Sequence, residues 1–210
     1  MTERPIRFAS APIGFERPAD GRSACQTRGV PKATGTDANA IQLGTISTGN
    51  NLTVTGVGIT QNAGGLAVTG TSTFNAGAGA ITLATATNNF GGAVSLNNSG
   101  ANNVAVTDAN AIVLGASSVG TGTLTVNATG ANTITQTGAI TQGASAGAAS
   151  FATGAGAITL TQAGNNFTGP VSATNTGANN VSITDANALA LRRNPARSRS
   201  PKRRSRPSSG

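Results

Sequence analysis

Asp108-Ala109-Asn110-Ala111-Ile112-Val113-Leu114-Gly115 belongs to a phrase that this chain uses three times. An earlier copy runs Asp37-Ala38-Asn39-Ala40-Ile41-Gln42-Leu43-Gly44, and a later one runs Asp185-Ala186-Asn187-Ala188-Leu189-Ala190-Leu191. In the last copy Arg192 takes the place held by Gly44 and Gly115. Recurrence at a long interval marks an architecture in which one unit stacks on the next. Other landmarks keep the interval: Phe74 to Phe151 and Phe90 to Phe167 span the same distance along the chain as Asp108 to Asp185. Asp37 to Asp108 is shorter by six, and the missing residues fall between Gly44 and Phe74. A change of that size with both flanks in phase belongs to a loop or turn, since a strand would lose its register.

A shorter rhythm runs inside the long repeat. Apolar-x-apolar triplets recur at Leu52/Val54, Leu66/Val68, Ile81/Leu83, Val94/Leu96, Val104/Val106, Ile112/Leu114, Leu124/Val126, Ile158/Leu160 and Val181/Ile183. Thr, Ser, Ala or Asn fills most of the alternate positions, and period-two alternation with β-branched residues is a strand signal. Gly and Asn clusters between the triplets mark turns. Helix is disfavoured, because apolar residues do not recur at helical spacing and Gly and Thr are poor helix formers. Short strands alone also suit a sandwich or barrel. The near-exact long repeat, the brevity of the strands and the recurring Asn pairs (Asn50-Asn51, Asn88-Asn89, Asn97-Asn98, Asn102-Asn103, Asn165-Asn166, Asn179-Asn180) favour stacked coils. Like residues then stand above one another, and Asn amides can bond in ladders along the axis. The expected fold is all-β, a right-handed parallel β-helix (β-solenoid) of about eight short coils at about 20 residues each.

Composition agrees with a thin core. The 210 residues are 37% hydrophobic and 3% aromatic, with 29 glycines and no His, Trp or Tyr. A solenoid packs small aliphatic residues on the neighbouring coil and needs few bulky ones. The net charge of +8 would ordinarily point to nucleic acid or an anionic surface. Its distribution argues otherwise, because residues 33–191 hold no Lys or Arg and only three acids, Asp37, Asp108 and Asp185. The positive charge belongs to residues 1–32 and 192–210, the latter with eight bases and no acid. Three segments follow: 1–32, disordered or foreign to the repeat, with a cap over the exposed coil end as the alternative; 33–191, the repeat body; and 192–210, a disordered Arg/Ser-rich tail. Cys25 is the only cysteine, so no intrachain disulfide is expected. Residues 1–32 show no signal-peptide pattern, and no apolar run reaches the length of a membrane helix.

The phrases Thr-Asp-Ala-Asn-Ala-Ile-Val-Leu-Gly (107–115), Gly-Ala-Asn-Asn-Val-Ala-Val (100–106), Gly-Ala-Ile-Thr-Gln (138–142), Gly-Ala-Ile-Thr-Leu (79–83) and Asn-Asn-Phe-Gly-Gly-Ala-Val-Ser-Leu (88–96) carry a resemblance. Over about residues 33–191 the chain resembles the β-strand repeat region of filamentous-haemagglutinin-like and autotransporter-like bacterial surface adhesins. The resemblance implies a secreted, cell-surface parent protein in which such repeats form a stalk. It implies contacts with a host or neighbouring cell through glycan or protein. This chain lacks the secretion-recognition domain and the outer-membrane barrel of that family and looks like a piece of such a protein.

The tail 192–210 supports three readings. It binds phosphates of a nucleic acid or other polyanion through its bases; it is an inert solvated tail; or it is a frameshift product, since Arg codons of the CGN class, read one base later, begin with G and can encode Gly or Ala. The break in charge at Lys32/Ala33 raises the same question at the other end.

Catalysis is not expected. Acid–base chemistry needs paired or tuned groups, and the body offers no His, Cys, Lys, Arg, Glu or Tyr. Asp37, Asp108 and Asp185 occupy equivalent places, so stacking is expected to hold them about four coils apart. Each reads as a turn aspartate bonding backbone N–H groups. Calcium would need several carboxylates per site. Gly77-Ala78-Gly79 and Gly154-Ala155-Gly156 lack the Lys and following helix of a phosphate loop. No catalytic, cofactor or metal site is therefore expected. Phe74, Phe90, Phe151 and Phe167 share one phase and read as core, with an exposed glycan-binding ladder as the alternative. Sequons begin at Asn51, Asn97, Asn127, Asn166 and Asn180. The pairs Thr53/Thr55, Thr71/Thr73, Thr123/Thr125 and Thr133/Thr135 differ in offset, so they should not align into an ice-binding plane. Raw coil ends are open sheet edges, and self-association through them is expected. The sequence reading is thus a structural stalk fragment of a surface adhesin, with polyanion binding through the tail as its alternative.

Overall fold

A computed structural model describes residues 14–16, 23–28 and 32–192. They form short strands and turns, with no helix among them. The strands wind as a parallel β-solenoid, because nearly every strand pairs in parallel with the one a coil away. One sheet runs through Ser23–Arg28, Ile41–Thr48, Ile59–Gln61, Ile81–Leu83, Val104–Asp108, Leu124–Ala128, Ala149–Thr153 and Val171–Thr174. The opposing sheet runs through Lys32–Thr36, Asn51–Thr55, Ser72–Asn75, Val94–Asn97, Ile112–Leu114, Ile134–Gln136, Ile158–Leu160 and Val181–Ile183. The chain visits the two alternately.

Register explains the regularity. In the first sheet Ile41 pairs with Ile59, Ile59 with Ile81, Ile81 with Val104, Val104 with Leu124, Leu124 with Ala149, and Ala149 with Val171. All seven are buried and point inward, so this column is a continuous apolar spine. The six steps from Ile41 to Val171 set the coil length, and the body makes about seven turns. The expectation of about eight rested on coils of about 20 residues, and the observed coils are slightly longer.

That pitch changes the meaning of the long repeat, which amounts to about three and a half turns. Equivalent residues therefore land on opposite sheets. Ile81 and Val104 lie in the first sheet, whereas Ile158 and Val181 lie in the second. Phe74 and Val94 lie in the second, whereas Phe151 and Val171 lie in the first. The sheets can exchange sequences because each half-turn is built alike: a short strand with two inward apolar residues, then a polar turn. The expectation that like residues of successive repeats stack on one face is corrected by this half-turn phase.

The six-residue deficit is spread over several turns. Leu52 to Ile59 takes three residues fewer than Leu124 to Ile134, and Leu66 to Ser72 three fewer than Ile140 to Ala149. Smaller differences of opposite sign elsewhere cancel. The strand pairings are preserved throughout: Ile41 with Ile59 corresponds to Ile112 with Ile134, and Leu52 with Ser72 to Leu124 with Ala149.

Two strands lie inside the segment expected to stand outside the repeat. Ser23–Arg28 extends the first sheet by pairing with Ile41–Thr48, and Gly14–Glu16 pairs antiparallel on its far side. The remainder of 1–31, and all of the tail after Arg192, lie outside the described residues.

Turns of adjacent coils approach so closely that side chains are excluded. A Cβ on Gly120 would fall on the carbonyl oxygen of Gly100, one coil away. Replacing glycine by alanine at a tolerant site usually stabilises by restricting the unfolded chain. Here overpacking wins, and Gly120→Ala should cost about 2 kcal/mol in urea unfolding.

Candidate functional site

The three repeated aspartates are where chemistry would be sought first. Each accepts a hydrogen bond from the backbone N–H two residues on: Asn39 to Asp37 at 3.0 Å, Asn110 to Asp108 at 3.2 Å and Asn187 to Asp185 at 3.4 Å. This is the Asx turn anticipated from the sequence. The later two also reach the neighbouring coil, where Phe90 N–H donates to Asp108 at 3.3 Å and Phe167 N–H to Asp185 at 3.1 Å. Asp108 ends a first-sheet strand, whereas Asp37 and Asp185 each follow a second-sheet strand. The half-turn phase thus puts Asp108 on the opposite side from the other two, rather than on one face four coils apart. Among the described residues no three His, Cys, Asp or Glu side chains come together.

Asp108 is fully buried, while Asp185 is half-buried under a thinner cover. Burial raises the Asp108 pKa, and the backbone N–H groups of Asn110, Phe90 and Ala109 oppose the rise. Desolvation wins because, among the described residues, the carboxylate meets only amide dipoles and no cation.

The strongest polar features of the core were not recognised in the sequence. Asn88 and Asn165 are wholly buried. The Asn88 amide pairs face to face with the Gln61 amide, with Gln61 Nε2 donating to Asn88 Oδ1 at 2.6 Å and Asn88 Nδ2 donating to Gln61 Oε1 at 3.0 Å. Asn88 Oδ1 also accepts from Leu66 N–H at 2.9 Å, and Nδ2 donates to the carbonyls of Leu83 and Thr107, both at 3.1 Å. One side chain thereby ties three successive coils. The second clasp repeats the first: Asn165 pairs with Gln136, accepts from Ile140 N–H, and donates to the carbonyls of Leu160 and Thr184. The signal was in the sequence, since Asn88-Asn89 and Asn165-Asn166 recur, but the Gln partners lie 27 and 29 residues away.

Beside each clasp sits an aromatic pair. Phe74 meets Phe90 edge-to-face at 6.1 Å, and Phe151 meets Phe167 likewise at 5.8 Å. All four rings are buried, as the core reading requires, and the exposed aromatic ladder is excluded. Asparagine ladders form only in part. Asn97 donates to Asn75 at 2.9 Å, and Asn187 donates to Asn166. More often the amide clamps backbone: Asn98 donates to the carbonyls of Gly79 and Asn102, and Asn175 to those of Gly156 and Asn179. The sequon residues Asn51, Asn97 and Asn166 are engaged in bonds of this kind between coils.

Threonines align more than their offsets suggested. Thr34 and Thr36 pair with Thr53 and Thr55, which pair with Thr73 and Asn75. Backbone register produces the alignment. It breaks down at Ser95 and Asn97 on the next rung, and Thr71, Thr123 and Thr133 lie outside the strands. An open groove of about 440 Å³ runs past Ser47, Thr48, Gly49, Ala67, Val68, Thr69, Asn89 and Gly91. None of these side chains titrates, so the groove can offer contacts but no acid–base chemistry.

Two outcomes follow. Asn165→Ala orphans several buried donors and acceptors and should lower the unfolding free energy by about 3 kcal/mol in urea titrations, with the Phe151 environment reporting the loss. For Asp108 the sign runs the other way from a salt-bridged carboxylate. Its raised pKa means the folded chain binds the proton more tightly than the unfolded one, so its contribution favours folding at acid pH and is lost as pH rises through the folded value. Asp108→Asn should raise the neutral-pH melting temperature and flatten its pH dependence above the ordinary carboxylate range; an unchanged profile would show that Asp108 is not desolvated.

No curated protein and no solved structure matches the chain. A family model does, described as repeats of unknown function (DUF5649), over residues 32–97 and 101–174. The two matches begin on different sheets, at Lys32–Thr36 in the second and just before Val104–Asp108 in the first, as the half-turn phase demands. Together they cover about two thirds of the sequence, and the chain belongs to the DUF5649 repeat family.

Proposed function

We propose that this chain is a non-catalytic structural spacer, a stalk segment of a secreted bacterial surface adhesin. The observation that carries the reading is the unbroken core column from Ile41 to Val171, in which every turn is backed by the next. Such a body gains length by adding turns, each held by its nearest neighbours. At about 4.8 Å per rung, seven turns give a rod about 34 Å long. The outward columns, such as Thr60, Thr82, Ala105, Thr125, Ser150 and Ser172, are small and uncharged. That surface suits a spacer that presents a neighbour and itself binds weakly to a host or neighbouring cell.

Two measurements test this. Inserting a second copy of the long repeat 108–184 should lengthen the particle by about 17 Å in small-angle scattering, and an unchanged maximum dimension would remove the rod. Antibody raised against 33–191 should label intact cells of the source organism, with the signal removed by external protease. Label seen only after permeabilisation would remove the surface assignment. The eight bases of 192–210 support a second reading, polyanion binding. It requires RNA or heparin affinity that falls steeply with salt.

A further inference from the structure

On the way from the first sheet to the second, the early coils carry a third short strand. The end of Ile41–Thr48 pairs with Leu66–Val68, which pairs with Asn89–Phe90. Ser47, Ala67 and Asn89 stack as its outward column, and all three are exposed. The column stops there because the next coil turns directly from Val104–Asp108 to Ile112–Leu114, and Asp108 takes the Phe90 N–H at 3.3 Å. The groove of about 440 Å³ lies along this column, and its volume suits a small ligand.

The long repeat supplies an internal comparison. Ser118, Thr141 and Asn166 form the equivalent column in the second copy, with the same pairings. There the protein uses the corresponding groups itself. Thr168, which stands where Gly91 stands in the first copy, donates its hydroxyl to Gly143 O and accepts from Ala146 N–H at 3.2 Å. Asn166 Oδ1 accepts from Asn187 Nδ2. The turn from Ile140–Gln142 to Ala149–Thr153 is also longer than its counterpart from Leu66–Val68 to Ser72–Asn75. In the first copy the shorter turn and Gly91 leave the groove open. Among the described residues, the side chains of Ser47, Thr69 and Asn89 spend no hydrogen bond on the protein. A Cβ on Gly49 would meet no atom within 4 Å, so that rim is open too.

We infer that this groove binds a neutral oligosaccharide laid across the three rungs. Two hydroxyls and a carboxamide can each donate and accept, which matches the mixed character of sugar hydroxyls. The small Ala67, Gly49 and Gly91 let a sugar ring approach the backbone. None of the lining residues is charged, so an ionic ligand would lose hydration there without a counter-charge. The nearest charged position in the column is Arg28, one rung below Ser47 by register. A peptide strand is poorly served, because the stacked strands bond to one another along the axis and present side chains, not an edge, to the groove. No aromatic ring lines it to stack on a sugar, and the expected Kd is about 1 mM. The inference does not rest on the spacer reading, since the groove belongs to the folded body wherever the chain resides.

The test is titration of the isotope-labelled full chain with cellotriose, maltotriose, mannotriose and chitotriose, followed through its amide resonances. At least one sugar should shift residues 47–49, 67–69 and 89–91 saturably, while 118–120, 141–143 and 166–168 stay in place. Asn89→Ala should weaken that binding about fivefold, and Gly49→Gln, which fills the open rim, should abolish it. Both positions are exposed, and unchanged thermal melts would confirm that the variants fold. The proposal is overturned if none of these sugars shifts the groove well above that Kd, if both copies shift equally, or if both variants bind like the parent chain. Tighter binding of trigalacturonate than of every neutral sugar would overturn it in favour of an anion site.

Discussion

Backbone hydrogen bonds between successive coils hold each strand in register with the one a turn away, and a residue inserted within a strand turns its apolar side chains outward unless a bulge absorbs it, as where Ser23–Arg28 meets Ile41–Thr48. The column from Ile41 to Val171 satisfies this constraint at every step. Everything variable is consequently confined to turns. The first long repeat lost residues in two separate turns and kept all its pairings. Glycine is needed where turns of adjacent coils touch, as at Gly120 over Gly100, since no side chain fits between them.

Because the long repeat is not a whole number of coils, successive copies are out of phase by half a turn. The chain tolerates this because both sheets make the same demand on sequence. The result is a rod whose two sides carry the same features at alternating heights. The Gln61–Asn88 clasp, the Phe74–Phe90 pair and Asp108 recur as Gln136–Asn165, Phe151–Phe167 and Asp185 on the other side. These clusters are structural. Buried amides that satisfy every donor and acceptor fix the stacking of specific coils, which apolar columns of similar residues would leave free to slip.

The two ends of the described body differ. At the first, Ser23–Arg28 adds a rung to the sheet and Gly14–Glu16 pairs antiparallel on it. At the second, Val181–Ile183 has an unpaired edge and exposed apolar side chains beside a basic sequence. Open edges are ordinarily guarded by charge or by a cover.

The sequence alone determined the strand class, the parallel solenoid and the inward residues. Period-two alternation and a near-exact long repeat are local or one-dimensional patterns, and both survive translation into structure. It also determined that Phe74, Phe90, Phe151 and Phe167 are core, and that the repeated aspartates begin turns. It did not determine the length of a coil, because turn length depends on how far the chain must travel around a cross-section that only folding defines. From that one quantity came the coil number, the half-turn phase and the side on which Asp108 lies. The pairing of Gln61 with Asn88, and the alignment of Thr34, Thr53 and Thr73, were likewise settled by tertiary structure. Those contacts join residues about one turn apart, and the register that brings them together is a property of the stacked backbone.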